Sequence, residues 1–301
     1  MKNHTNITKA VIAVAGYGTR FLPATKTQPK EMLPIIDRPI IHELVKEAVD
    51  SGIKDIILVT RFGQHIMEDY FDNNLELEHK LEATGKLDRL EKIRNVANMA
   101  NFIYVRQKKD LPYGNGTPLL CVKPLIDDNE SFVYMFGDDL TLTNNGKPVA
   151  KQLIEKHAEH NATATLAVQE VPPEEISRYG SVEYKNGSSY EYDVKHIHEK
   201  LPANEAPSNM AQFGRFVFSY DVIEAAVNSD TGKDGELWVA DILNNLADKD
   251  KTVIAPPIEG EWLTTGDPLR YLKATFRFAM ERDDLAPKLV KYLREELPKY
   301  E

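Results

Sequence analysis

The first half of the chain alternates short apolar runs with segments of polar or helical character. Four runs have the length and continuous hydrophobicity of buried strands: Lys9 to Ala15, Asp55 to Thr60, Phe102 to Arg106 and Ser131 to Gly137. Such runs are typical of a parallel sheet that is covered on both faces. We therefore predict an α/β fold with a mostly parallel, Rossmann-like central sheet.

A helix is predicted between the first two strands. Asp37 and Pro39 form a start signal, apolar residues follow at helical spacing, and Gly52 is placed to end the helix. Strand, helix and strand in this order form a βαβ unit, which leaves loops at the C-terminal ends of the strands. The charged, leucine-spaced segment Leu75 to Ala100 is predicted to be a helical insertion.

The second half alternates less regularly. We predict a helix from Pro148 to about His160, a strand from Thr163 to Val171 and hairpin-like β structure from Tyr179 to His198. Three further elements are expected: a strand at Phe213 to Ser219, a helix at Leu237 to Ala247 and helices over 268–297. No linker is visible, so we expect one domain over 1–301, with a nucleotide-binding part (9–147), a β-rich sugar-binding part (148–267) and C-terminal helices (268–301).

Composition narrows the classes of partner. The 301 residues carry a net charge of -10, which argues against nonspecific binding to nucleic acid or to an anionic membrane. The single cysteine, Cys121, excludes an intrachain disulfide and a thiolate metal cage. With a short polar start, Met1 to Thr8, and no apolar run of about 18 residues, the sequence predicts a cytoplasmic protein without a membrane anchor.

The glycine-containing turn after the first strand is the strongest candidate site. The segment AGYGTRFLPATKTQPKEMLP, from Ala15 to Pro34, carries Gly16, Gly18, Arg20 and Lys30. Glycines let backbone N–H groups approach phosphate oxygens, and the two cations would neutralise charge around a reacting phosphorus. A plain tight turn is the alternative. The spacing fits neither the dinucleotide fingerprint nor the Walker loop.

This segment, continued to Ile40 as IIDRPI, resembles the nucleotide-binding signature of the sugar nucleotidyltransferases, in its bacterial uridylyltransferase form. The resemblance extends over about Lys9 to Met280 and implies a fold of the glycosyltransferase-A type. It implies that the loop residues cradle the nucleotide, that Arg20 and Lys30 contact the triphosphate and that Glu31 lies near the base. The loop residues are Ala15, Gly16, Gly18 and Thr19. Lys26 is interpreted as solvated charge.

Gln107 and Gly114 are candidates for reading the base. A glutamine amide both donates and accepts, as the imide edge of uracil requires, whereas a lone surface glutamine would have no such role. The family places its base-reading glutamine and glycine loop here. The family commonly continues GLGHA, whereas this chain reads GNGTP, with Thr117 and Pro118.

Asp138 is the predicted magnesium ligand. It ends the apolar strand FVYMFGDDL, where a hard cation can bridge to substrate phosphates. Asp139 is interpreted as a helix cap or a solvated acid. In the segment WLTTGDP, the family's second acid is replaced by Thr264, and Asp267 is a speculative substitute. His42, His65, His79 and His157 lack metal-ligand spacing and are interpreted as structural or surface residues.

Short motifs of the second half resemble the family's sugar site, namely YG, EKP and GR. The resemblance implies that Glu199 accepts hydrogen bonds from sugar hydroxyls and that Lys200 holds the sugar phosphate, with Gly180 and Gly214 beside them. A surface Glu–Lys pair is the alternative for these residues taken alone.

The resemblance implies a magnesium-dependent enzyme that acts on UTP and glucose 1-phosphate and forms a homodimer or homotetramer. The helical insertion that begins FDNNLELEHKLEATGK resembles the bacterial uridylyltransferases more than the thymidylyltransferases, and this resemblance favours UTP over dTTP. Two alternatives stay open: a related transferase that uses dTTP or another hexose 1-phosphate, and a nucleotide-sugar-binding protein with weak turnover. A dehydrogenase is disfavoured, because the glycine spacing is wrong and no acid is evident at the expected strand end.

Overall fold

A computed structural model describes residues 6–143 and 146–300, so most of the polar start Met1 to Thr8 lies outside the described part. The structure has thirteen described strands: β1 (Lys9–Ala13), β2 (Pro34–Ile35), β3 (Arg38–Pro39), β4 (Asp55–Thr60), β5 (Asn101–Arg106), β6 (Ser131–Phe136), β7 (Asp139–Leu142), β8 (Ala164–Glu170), β9 (Gly180–Tyr184), β10 (Val194–Glu199), β11 (Met210–Ser219), β12 (Val253–Ile254) and β13 (Glu261–Thr264).

The helices of the described chain surround the sheet. They are α1 (Ile40–Asp50), α2 (Ile66–Phe71), α3 (Leu75–Ala83), α4 (Leu87–Ala97), α5 (Thr117–Val122), α6 (Val149–Glu159), α7 (Tyr220–Val227), α8 (Val239–Ala247), α9 (Pro268–Met280) and α10 (Ala286–Glu296). None of these helices is long and apolar enough to cross a membrane.

Nine strands form the central sheet, whose main path runs β10, β9, β11, β6, β1, β4, β5. The pairs among β6, β1, β4 and β5 are parallel, as the apolar runs predicted. β11 pairs antiparallel with β6, β8 and β9, and β12 joins β8. The mixed α/β fold class is therefore confirmed, with the parallel pairings concentrated in the N-terminal half.

The core lies on both faces of the sheet because side chains alternate along each strand. Val11 packs on one face with Ile57 and Phe132. Its neighbour Ile12 packs on the other face in the core that includes residues of α1 and α6. The side chains of Val11, Ile12, Ile57 and Phe132 have less than 1% of their surface exposed. This two-sided burial fixes the ends of the parallel strands, where the candidate site lies.

Several predicted elements are confirmed and others were missed. The insertion forms α3 and α4, separated at Gly85, whose φ of 68° favours glycine. The hairpin forms as β9 and β10. The short helices α5 and α7 and the pairing of β7 with β13 were not predicted. Strands of four residues and helices of six to eight residues carry too few positions for a clear periodic pattern.

Candidate active site

A cleft of about 250 Å³ lies at the C-terminal ends of β1, β5 and β6. Seven of the predicted site residues line it: Ala15, Gly16, Lys30, Glu31, Gln107, Gly114 and Asp138. They come from four separate segments of the chain, which the parallel strands bring to one edge of the sheet.

Lys30 and Asp138 form an ion pair inside this cleft, with 2.5 Å between Nζ and Oδ2. Both side chains are largely buried. Burial would lower the pKa of Lys30, but the carboxyls of Asp138 and Glu31 outweigh burial and raise it above its ordinary value. Burial would raise the pKa of Asp138, but Lys30 holds it below its usual value. Both groups therefore carry full charge at neutral pH.

The glycine turn folds around the Lys30 side chain. Gly18 has a φ of 62°, and a Cβ there would lie 3.1 to 3.3 Å from atoms of Thr25 and Lys30. The Thr25 hydroxyl donates to the Gly18 carbonyl at 2.7 Å. Thr19 begins the next 3-10 turn, and the Arg20 guanidinium donates to the carbonyl of Gly266 at 3.2 Å. The turn thus directs Arg20 towards the segment that follows β13.

Glu31 is buried beneath the cleft, with 1% of its surface exposed. A Cβ on Gly137 would lie 2.8 Å from the Cγ atom of Glu31, so only glycine fits above this carboxyl. Burial raises the pKa of Glu31 to about 8, although Lys30 opposes the shift. Its Oε2 has no hydrogen-bond partner among the described residues. A neutral carboxyl at this position can donate a hydrogen bond to a ligand.

The base-reading candidates lie on the loop that follows β5. Gln107 is anchored through its backbone N–H to the Thr60 carbonyl at 2.8 Å. Gly114 has a φ of 135°, and a Cβ there would lie 2.3 Å from the carbonyl oxygen of Leu237. The N–H of Leu237 donates to the Tyr113 carbonyl at 2.7 Å, so the loop is held against the segment before α8.

The departure from the GLGHA pattern has a structural explanation. The Asn115 side chain accepts a hydrogen bond from the N–H of Val239 at 2.7 Å, at the start of α8. The Thr117 hydroxyl donates to the Pro112 carbonyl at 2.6 Å, and Pro118 lies in the first turn of α5. Asn115 and Thr117 therefore hold the loop in place.

The sugar-site candidates meet on β9, β10 and β11. Gly180 pairs with Glu199 on one side and with Gln212 on the other. Because Gly180 has no side chain, the Gln212 amide extends across it and donates to Glu199 at 2.6 Å. Burial raises the pKa of Glu199, opposed by Lys200. Lys200 follows β10 with a φ of 52°, a conformation that costs energy for a residue with a side chain.

Asp139 is not a cap or a solvated acid, so that interpretation was wrong. It is buried, accepts from the N–H of Gly214 at 2.8 Å and accepts from the Trp262 indole at 2.7 Å. Burial, reinforced by Asp138, raises the pKa of Asp139 to about 6. The carboxyl joins β7, β11 and β13, which sequence periodicity could not reveal because those contacts are remote in the chain. Gly214 packs against Phe136, with no space for a Cβ.

Comparisons with known proteins identify the family of this chain. The family model described as "Nucleotidyl transferase" matches residues 9–280. The chain belongs to the nucleotidyl transferase family. The UTP-glucose-1-phosphate uridylyltransferase of Bacillus subtilis (strain 168) is 39% identical over 295 residues, which cover 98% of this chain and 99% of the relative.

Solved structures of this nucleotidyl transferase family show the same fold. A UTP-bound UDP-glucose pyrophosphorylase from Acinetobacter baumannii is 34% identical with a TM-score of 0.87, covering 97% of this chain and 100% of that one. A UDP-glucose pyrophosphorylase complexed with UDP-glucose is 35% identical with a TM-score of 0.81, covering 92% and 100%. The resemblance of the glycine segment to this family is thereby confirmed.

Oxygen atoms of Asp138 and Thr264 lie near Gly266, where the magnesium ion is expected. A Cβ built on Gly266 would lie 3.4 Å from the Thr264 hydroxyl, 3.5 Å from the Asp138 Oδ2 and 3.6 Å from a nitrogen of Arg20. Carboxylate and hydroxyl oxygens suit a hard cation that takes its other ligands from phosphates and water. Within residues 6–143 and 146–300, no group of three or more His, Cys, Asp or Glu side chains is placed to hold a metal.

Asp267 does not supply the acid that is missing at position 264. Its carboxyl caps α9 by accepting from the N–H of Arg270 at 3.0 Å. It also pairs with the guanidinium groups of Arg270 and Arg178. These three contacts fix Asp267 in the ion-pair network at the start of α9.

Trp238 lines the cleft and was missed. The predicted helix began at Leu237 and so placed this ring within its first turn. In the structure α8 begins at Val239, and Trp238 lies before it with extended backbone. The signal that could have found it is a large aromatic residue at a predicted helix start. Its neighbour Glu236 also lines the cleft.

Proposed function

We propose that this chain transfers the uridylyl group of UTP to glucose 1-phosphate, giving UDP-glucose and pyrophosphate. The observation that carries the proposal is one cleft lined by both the charged Lys30–Asp138 pair and Gln107. Phosphate chemistry and base reading need these two features next to each other. The relatives bound to UTP and to UDP-glucose support the choice of substrates.

The reaction requires no enzyme nucleophile. An ionised phosphate oxygen of glucose 1-phosphate attacks the α-phosphorus of UTP and forms the new P–O bond. The bond from the α-phosphorus to the bridging oxygen of the β-phosphate breaks, and pyrophosphate leaves with that electron pair. Because the attacking oxygen is already ionised, no general base is needed. Catalysis then consists of positioning and of charge stabilisation.

Each cation has a defined part in this proposal. Lys30 and Arg20 neutralise charge on the triphosphate, and Lys200 holds the phosphate of the sugar. When UTP enters, its phosphates compete with Asp138 for the Lys30 ammonium. Asp138 is thereby released in its ionised form, which suits a metal ion.

Gln107 and Gly114 hold the uracil, and Glu199 with Gly180 and Gly214 forms the sugar side. Asp138 and Thr264 would hold magnesium, which supplies positive charge to the phosphates of both substrates.

We also propose a cytoplasmic location, supported by the single cysteine, and a homodimer or homotetramer. Light scattering on the purified chain measures the oligomeric state.

Pyrophosphate release tests the proposed function. The chain is assayed with UTP, dTTP, CTP and ATP against glucose 1-phosphate and other hexose 1-phosphates, with and without magnesium. Release with UTP and glucose 1-phosphate should exceed that with every other pair and should require magnesium. A preference for dTTP, or binding of UTP without any release of pyrophosphate, would contradict the proposal.

A further inference from the structure

A second and larger cleft adjoins the substrate cleft at the ends of β1, β4 and β5. Its volume is about 610 Å³, within the range of about 300–1,000 Å³ that is usual for small-molecule sites. Ala15, Gln107 and Tyr113 line both clefts. The remaining lining residues are Tyr17, Arg61, Phe62, Lys108, Lys109 and Leu111.

The second cleft is positively charged in a chain whose net charge is -10. Arg61, Lys108 and Lys109 line it, and none of its described lining residues is acidic. The Nε of Arg61 is buried and has no hydrogen-bond partner among the described residues. A buried donor without a partner is costly, so an anionic ligand that accepts from Arg61 would be stabilised.

Three aromatic rings are exposed around these cations. Tyr17, Phe62 and Tyr113 are 59%, 76% and 55% exposed. The Arg61 guanidinium lies 4.7 Å from the centroid of the Tyr17 ring, which holds the cation and the ring together. Solvent-exposed rings beside cations can stack a planar base while the cations bind its phosphates.

We propose that this second cleft binds a nucleoside phosphate in addition to the substrates. The base stacks on the exposed rings, and the phosphates contact Arg61, Lys108 and Lys109. Because Ala15, Gln107 and Tyr113 contribute to both clefts, the occupant changes the affinity for UTP, and UTP changes the affinity for the occupant by the same factor. The second cleft is thus a regulatory site that adjoins the base pocket.

Calorimetric titration with ADP tests this inference, because a purine does not match a uracil pocket. The parent, saturated with UDP-glucose, should bind one further ADP per chain. The double variant Lys108→Ala/Lys109→Ala should weaken ADP binding at least about tenfold, since two charged contacts are lost. Phe62→Ala should weaken ADP binding at least about fivefold, since one stacking ring is lost.

Matched variants separate the cleft from general surface effects. Lys288→Ala/Lys291→Ala removes two exposed lysines of α10, and Tyr300→Ala removes an exposed ring elsewhere. Both should bind ADP like the parent. Displacement of ADP by UDP-glucose, or equal ADP binding by the cleft variants and the parent, would overturn the inference. The ADP titrations are repeated without UDP-glucose, and a separate UDP-glucose titration reports on the proposed function alone.

Discussion

The Lys200 ammonium lies 4.8 Å from the centroid of the Trp238 ring. Lys200 directly follows β10, whereas Trp238 lies before α8 and lines the nucleotide cleft. The left-handed backbone at Lys200, with a φ of 52°, turns this residue away from the course of its strand. The contact therefore joins Lys200, which is predicted to bind the sugar phosphate, to the wall of the nucleotide cleft.

Trp238→Leu should lower kcat/KM for glucose 1-phosphate by about fivefold or more, because an exposed cation–π contact contributes roughly 1 kcal/mol. The lost ring no longer holds Lys200 towards the cleft. Trp238→Phe, which keeps an aromatic face, should recover most of the loss. Steady-state kinetics with each substrate varied in turn measures the effect. If Trp238→Leu and Trp238→Phe lose kcat/KM equally, the cation–π contact with Lys200 does not contribute to the use of glucose 1-phosphate.

Lys30→Ala and Arg20→Ala should each lower kcat by about 10²- to 10³-fold, the usual cost of removing one group that stabilises transition-state charge. Lys26→Ala is the matched control, because Lys26 is an exposed cation of the same segment. Its kcat should equal that of the parent. Near-parent turnover in both active-site variants, or an equal loss in Lys26→Ala, would refute the assignment.

Gln107→Ala should raise the KM for UTP by about tenfold and narrow the preference for UTP over CTP, since the amide that matches the imide edge of uracil is lost. Gln152→Ala, a change of the same kind on α6, serves as the control. Competition kinetics with both nucleotides measures the preference. A variant that still rejects CTP as strongly as the parent would place base reading elsewhere.

The sequence predicted the site best where function and local pattern coincide. The glycine turn and Asp138 lie at the ends of apolar runs, so βαβ topology brings them to one edge of the sheet. Lys30 joins them because the loop after the first strand folds back against Gly18 and Asp138. The role of Asp139 was misread because its partners, Gly214 and Trp262, are 75 and 123 residues away. Trp238 was missed because a periodic pattern indicates which face of a helix is buried but does not fix the residue at which the helix begins.

Glu31→Gln should change how stability depends on pH. The pKa of Glu31, about 8, lies above the ordinary 4.5, so the native state holds a proton that the unfolded chain has lost between those values. The protonated Glu31 carboxyl therefore contributes its full free energy of stabilisation below pH 4.5, and this contribution is lost as the pH rises through about 8. Glutamine has no proton to lose there, so the melting temperature of the variant minus that of the parent should increase from about pH 5.5 to about pH 8.5. Parallel melting profiles, measured by calorimetry, would contradict a buried titration at Glu31.

The last prediction concerns the metal, and it rests on the single carboxylate that Asp138 offers beside the hydroxyl of Thr264. In the structure Asp138 already pairs with Lys30, so a cation must compete for this carboxylate until the UTP phosphates engage the ammonium. Magnesium should therefore bind weakly to the free protein and much more tightly once UTP is present.

Two variants separate the contributions of the two oxygens in calorimetric titrations of magnesium with and without UTP. Asp138→Asn should abolish the UTP-dependent binding, because an amide replaces the only charged ligand. Thr264→Asp should tighten magnesium binding even without UTP, since a second carboxylate then faces the ion across Gly266. Thermal unfolding of each variant shows that it is folded. Tight magnesium binding by the UTP-free parent, or an unchanged affinity in Thr264→Asp, would mean that the ion is held by other oxygens than those around Gly266.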